Sequence, residues 1–202
     1  MITIDVYTAV IPENLEIKEL SSLEREEEIK NSPNLKVKKE RYFAWKLLEF
    51  ALKNSFDKKA KDITFTKNEF GKWTTKDCFF SISHSSGAVA VALSKAEVGV
   101  DIELLKEVKK GAIEKTLTKE EEVFLSTLKE EEKQYSLIEI WSKKESYFKM
   151  ANLPTFCPST INTLQLNYHS GKINIGCKKY LLSVFAKDLK NLRFYENCLI
   201  ER

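Results

Sequence analysis

The order of periodic segments predicts an α/β protein of the α+β kind, made of two similar halves with helices packed on a small sheet in each. Three observations predict it. Side chains alternate with the period of a strand, apolar with polar at Ile2–Val6, Phe79–Ser83 and Val98–Glu103 and large with small at Ala88–Leu93. Long segments at helical spacing lie between the strand runs, over 36–54 and 133–151. The order strand, helix, helix, then several strands occurs once before residue 96 and again after it. This places the halves at 1–96 and 97–202, with no glycine-rich linker between them, so they should pack tightly and hold a ligand at their junction.

Each element follows from local chemistry. Ile2, Ile4 and Val6 form the first strand, which Pro12 ends; a charged helix carrying Leu15, Ile17, Leu20 and Leu23 is expected next. Asn31-Ser32-Pro33 breaks the chain, and Phe43, Leu47, Phe50 and Ala51 then mark an amphipathic helix. Ile63–Phe65 reads as a short strand and 68–72 as a turn around Gly71. In the strand at 88–93, Val89, Val91 and Leu93 share one face; the other is all alanine, which suits a closely packed helix. Residues 104–115 read as a charged connection. Thr118 with Glu121 is a capping-box signature before Val123, Phe124, Leu125 and Leu128. Beyond Pro154 and Pro158, strands are expected over 160–168, 173–175 and 180–186, with a hairpin turn at 169–172.

Composition narrows the function classes. The chain's 33 basic and 30 acidic residues nearly cancel, so nucleic acid is not favoured and any anion site must come from local clustering. Cysteines 78, 157, 177 and 198 are widely spaced, which indicates neither a zinc site nor a disulfide framework and suits a reducing cytoplasm. The N-terminus lacks a signal-peptide pattern and no stretch approaches transmembrane length, so a cytoplasmic protein with no membrane partner is expected.

The chemistry centres on Val98-Gly99-Val100-Asp101-Ile102-Glu103. As a strand it puts Gly99, Asp101 and Glu103 on one face, the two acids roughly 7 Å apart at Cα. Such acids are either solvated on an edge strand or compensated by a hard cation such as Mg2+. On the last long helix, Ile138, Trp141, Glu145, Phe148 and Lys149 share a stripe, and Lys144 flanks it. Glu145 and Lys149 fit a surface ion pair or, since Trp141 and Phe148 bracket the acid, a functional one. Three acids with two lysines describe a metal-assisted phosphoryl site. Ser83-His84-Ser85 ends a strand with hydroxyls and an imidazole suited to phosphate oxygens; a capped turn with an incidental histidine is the alternative.

Four motifs now stand in order: Phe70-Gly71-Lys72, Ser83-His84-Ser85, Val98–Glu103, and Trp141-Ser142-x-Lys144-Glu145-Ser146-x-x-Lys149. Together they resemble the 4'-phosphopantetheinyl transferases of the Sfp type. The resemblance spans 70–149, and Arg41 extends it. It implies a pseudo-duplicated two-half fold and transfer of 4'-phosphopantetheine from coenzyme A to a serine of an apo acyl or peptidyl carrier protein. The reaction would release 3',5'-ADP, need Mg2+ and run in a monomer, since one chain holds both sides of the site. Asp101, Glu103 and Glu145 would hold the metal, and Glu145, Lys149 and, as a weaker candidate, Lys144 would act in catalysis. Arg41, Gly71, Lys72, Ser83, His84, Ser85 and Lys149 would bind the coenzyme; Arg25 is a looser match, and Glu121 could assist. The family's Gly-Lys-Pro is here Gly71-Lys72-Trp73, whose indole could stack on a base. A non-catalytic coenzyme A-binding module that docks on a carrier is the alternative.

Overall fold

A computed structural model describes residues 2–107, 111 and 114–200. Four layers stack in the order helix, sheet, sheet, helix. The first sheet runs β4-β5-β1-β9, from Phe79–Ser85, Ala88–Ser94, Ile4–Val10 and Leu192–Tyr195. The second runs β6-β8-β7, from Val98–Leu104, Lys178–Ala186 and His169–Ile175. A small hairpin of β2 (Phe65–Lys67) and β3 (Trp73–Thr75) stands apart. Neighbouring strands pair antiparallel except β1 with β9, which run parallel. β9 thus adds the end of the chain to the sheet that the beginning founded.

Helix α2 (Leu35–Phe56) covers the outer face of the first sheet. Its Trp45, Leu47, Leu48 and Leu52 are buried with Val89, Val91 and Leu93. Asn34 starts this helix by accepting from Val37 N–H, and Asp57, in the left-handed region, ends it. The short α1 (Leu23–Lys30) packs beside it, capped by Ser22. Helix α4 (Glu130–Ala151) lies on the outer face of the second sheet, along β6 and β8, with α3 (Lys119–Ser126) against it.

Several expectations are corrected. Ala88, Ala90 and Ala92 meet no helix; they pack with Val98, Val100, Ile102, Leu182 and Val184 of the second sheet. Small side chains allow close approach there too, and a sheet face fills the space as well as a helix would. The helix expected from Leu15 begins only at Leu23, where Ser22 supplies the cap that the preceding residues lack. His84 and Ser85 stay in β4; the chain turns at Ser86 and Gly87, both with positive φ, the two-residue hairpin geometry. Residues 169–172 belong to β7, and that hairpin turns at Gly176. The run 160–168 contains short 3-10 turns and no strand. Of the charged connection expected over 104–115, residues 108–110, 112 and 113 lie outside the described residues, while Leu104 still belongs to β6 and Glu114–Thr116 form a 3-10 turn.

Two features lock the second sheet into place. A Cβ added at Gly99 would lie 1.8 Å from the carbonyl oxygen of Ser146 and 2.8 Å from the Met150 nitrogen, so the α4 backbone rests directly on β6. On the free edge of β6, the N–H groups of Val100, Ile102 and Leu104 donate to the hydroxyls of Ser81, Ser83 and Ser85 at 3.0, 3.3 and 3.3 Å. Serines at every second position of β4 thereby complete the edge of a strand in the other sheet. Because the obstacle at Gly99 is backbone, Gly99→Ala is expected to cost about 3 kcal/mol or more. Urea denaturation measures it, and an unchanged midpoint would contradict the contact.

Candidate active site

The acids of β6 and the end of α4 meet over Gly99. Asp101, 3% exposed, receives Lys149 Nζ at 2.8 Å and the Ser83 hydroxyl at 2.8 Å on the same oxygen, Oδ1. Its other oxygen, Oδ2, is buried with no hydrogen-bond partner. Glu103 accepts from the Ser85 hydroxyl at 3.0 Å and from Trp141 Nε1 at 3.2 Å. Glu145 lies 3.6 Å from Lys149 Nζ, which also donates to Ser83 Oγ at 3.1 Å. The strand alternation and the helical i,i+4 step set these positions: β6 turns Asp101 and Glu103 toward α4, and α4 aims Glu145 and Lys149 back.

The charges act on one another. Burial, then Asp101 and Glu145, push the Glu103 carboxyl above its usual range. Burial and Asp101 raise Glu145 also, against the opposing pull of Lys149. For Lys149 burial opposes the charge, yet Asp101 and Glu145 outweigh it and hold the ammonium on. A pocket with more acid than base and an unspent, buried carboxylate oxygen suits a hard cation. Among the described residues no three His, Cys, Asp or Glu side chains are arranged to hold a metal ion, and the Lys149 ammonium lies among the acids. Asp101, Glu103 and Glu145 are the acids that a hard cation would meet here.

Other expected residues fall at varied distances from this centre. Ser83 and Ser85 are at it, but each hydroxyl donates to a carboxylate and accepts from the β6 backbone, so neither has a proton free for phosphate. His84 points to the opposite face of β4, where Nδ1 sits 3.5 Å from Glu40 Oε2. Burial lowers its pKa despite Glu40, and Lys149, Arg41 and Arg25 push the same way. The turn around Gly71 (φ +76°) is tied by Asn68, whose side chain accepts from the Phe70 and Lys72 N–H groups. Asn68 also reaches Asn152 at 2.7 Å, and the Lys72 ammonium caps the carbonyl of Lys149. A cation at a helix C-terminus is favoured by the dipole, so this loop steadies the end of α4. Arg41 lies beyond His84 and donates to Ser32 Oγ at 3.2 Å.

Lys144 is not with these groups. It is wholly buried on another side of α4, 2.5 Å from the wholly buried Glu121, and also donates to the carbonyls of Thr116 and Pro158. Glu121 closes its capping box with Thr118 and accepts from Thr163 N and Oγ1. All three ammonium protons are committed, so Lys144 is a structural tie among α3, α4 and the turns around them. Trp73 is not free to stack on a base: it is buried edge-on against Trp45, and its N–H donates to Glu28 at 2.8 Å. The sequence reading missed Glu40, hidden in a run of lysines, and the Trp141 N–H, whose ring alone signalled burial.

Two variants test these charges. A carboxyl whose pKa is raised by folding destabilises the fold once ionised; the penalty is absent below the unfolded pKa and complete above the folded one. Glu103→Gln, which keeps the shape without the charge, is therefore expected to raise the Tm of the free protein at pH 7 by about 2 °C, and not at acid pH. Lys144→Met strands a buried carboxylate and is expected to cost about 3 kcal/mol or more, part of it recovered by adding Glu121→Gln. Thermal and urea unfolding read both.

Comparison with known proteins places this geometry. Residues 97–189 match the model of the 4'-phosphopantetheinyl transferase superfamily. The chain is 30% identical over 130 residues to the 4'-phosphopantetheinyl transferase gsp of Aneurinibacillus migulanus, covering 64% of this chain and 55% of that protein. It is 28% identical over 145 residues to ffp of Bacillus subtilis, covering 70% and 64%. It is 26% identical over 132 residues to Sfp of Bacillus subtilis strain 168, covering 64% and 58%. The matches thus span between 55% and 64% of the relatives' own lengths. Over residues 97–189, which include β6, both acids on it and all of α4, the chain matches the 4'-phosphopantetheinyl transferase superfamily, and the resemblance carried by its motifs is borne out.

Proposed function

We propose that this chain transfers 4'-phosphopantetheine from coenzyme A to a serine of an apo acyl or peptidyl carrier protein, releasing 3',5'-ADP. The observation that carries the reading is the meeting of Asp101, Glu103, Glu145 and Lys149 over Gly99, with one Asp101 oxygen buried and unspent. Asp101, Glu103 and Glu145 would hold Mg2+, which neutralises pyrophosphate charge when bound.

The chain's own groups supply the rest. Lys149, kept charged by its acids, contacts a phosphate oxygen and stabilises the charge that builds as the phosphoanhydride bond breaks. Glu145, with its pKa raised by burial, suits the acceptor of the carrier serine's proton. Ser83 and Ser85 act by holding Asp101 and Glu103, and Gly71 and Lys72 by steadying the end of α4, while His84 would face the nucleotide. Lys144 supports α4 from behind. Both halves of the site come from one chain, so a monomer suffices, with 1–96 and 97–202 as the halves. Among the described residues no helix is long and apolar enough to cross a membrane, which agrees with a cytoplasmic role.

The test is to incubate the protein with coenzyme A, Mg2+ and several apo carriers, then weigh the carriers by mass spectrometry. A gain of one phosphopantetheine is expected, abolished by Asp101→Ala or Glu145→Gln with the fold intact by circular dichroism. Carriers left unmodified while coenzyme A binds would favour a binding module; full activity in either variant would overturn the site assignment.

A further inference from the structure

Beside the nucleotide side lies a second charged cluster. Glu28 on α1 pairs with Arg25 at 3.0 Å, Lys67 of β2 at 3.1 Å and Arg41 of α2 at 3.9 Å, and accepts the Trp73 N–H at 2.8 Å. Three cations from three elements point at one carboxylate. The inner wall is closed: Arg25 and Trp73 are each 8% exposed, and Arg25 lies over the Trp45 ring at 5.2 Å. Arg41 and Lys67, with side chains 37% and 34% exposed, leave the outer side open. The buried Arg25 Nε has no hydrogen-bond partner, so a donor is left unspent. The cluster lies within electrostatic reach of His84, on which Lys149, Arg41 and Arg25 all act, and Lys67 leads directly into the turn around Gly71.

Such a ring of guanidinium, ammonium and indole N–H donors is what a phosphate monoester wants. Here a carboxylate of this chain already sits in it, cancelling one of three positive charges and meeting any entering phosphate with like charge. We propose that Glu28 is a specificity-determining residue: it stands in for a phosphate, so the chain does not demand a 3'-phosphate on the nucleotide it binds. Arg41 then holds Glu28 in place, which revises what the family resemblance implies for it. The identity of the nucleotide rests on the transferase reading; the occupied cation ring does not.

Titration calorimetry with 3',5'-ADP and 5'-ADP tests this. The wild type is expected to bind the two within about threefold, and Glu28→Gln, which keeps the shape and the Trp73 contact, to tighten 3',5'-ADP about tenfold with 5'-ADP nearly unchanged. Arg41→Gln in the wild-type background, which needs no change at Glu28, should leave the ratio as it was. A wild-type preference for 3',5'-ADP that Arg41→Gln abolishes would show the ring already serving phosphate and overturn the proposal. An unchanged ratio in folded Glu28→Gln would also overturn it. If neither nucleotide binds wild type or variant, this inference and the transferase reading both fail. If the ratios shift as expected but no carrier is modified, only the transferase reading fails.

Discussion

The arrangement depends on the contact between Gly99 and the backbone of α4. A side chain of any size there would lift the helix off the sheet, because the obstacle is the carbonyl of Ser146 and not a movable group. With the helix seated, Glu145 and Lys149 arrive one turn apart above the two acids of β6, and the i,i+4 step of α4 becomes a cross-element charge network. Glu121 and Lys144 act from behind, fixing α4 to the turns that precede and follow it with a fully buried, fully hydrogen-bonded pair. Such a pair adds little net stability but penalises any rotation of the helix, which would strand a charge.

The serines of β4 do two things at once. Their hydroxyls accept the N–H groups at the free edge of β6, which would otherwise be buried unpaired, and two of them donate to Asp101 and Glu103. The first sheet therefore sets the orientation of acids that belong to the second. This explains why a Ser-x-Ser-x-Ser alternation sits opposite an Asp-x-Glu alternation: both have the strand period, and the register brings hydroxyl to carboxylate.

The site is acid-rich by construction. Burial and mutual repulsion raise Glu103 and Glu145, and Lys149 offsets only part of the excess. Strain of this kind costs the free protein stability and is expected where charge is arranged for a ligand and not for the fold. The Glu28 cluster shows the reverse balance, with cations in excess around one acid, at the other end of the same motifs.

By itself the sequence determined the strands with clear alternation, the two long helices, and the pairing of Asp101 and Glu103 on one face, because period two and period 3.6 are local properties. It also carried the motifs by which the chain resembles the 4'-phosphopantetheinyl transferases, since each is a short run within one strand, helix or turn. Only the tertiary structure decided that the alanine face of β5 meets a sheet, that Lys144 turns inward to Glu121 while Lys149 turns to Asp101, and that Trp73 is core. Residues five positions apart on a helix, as Lys144 and Lys149 are, differ by about 140° in direction, and which direction leads to a buried acid depends on what is packed there. The same limit hid the roles of Glu28 and Glu40, whose partners beyond their own helices include Lys67 and His84, on strands that no spacing along the chain connects to them.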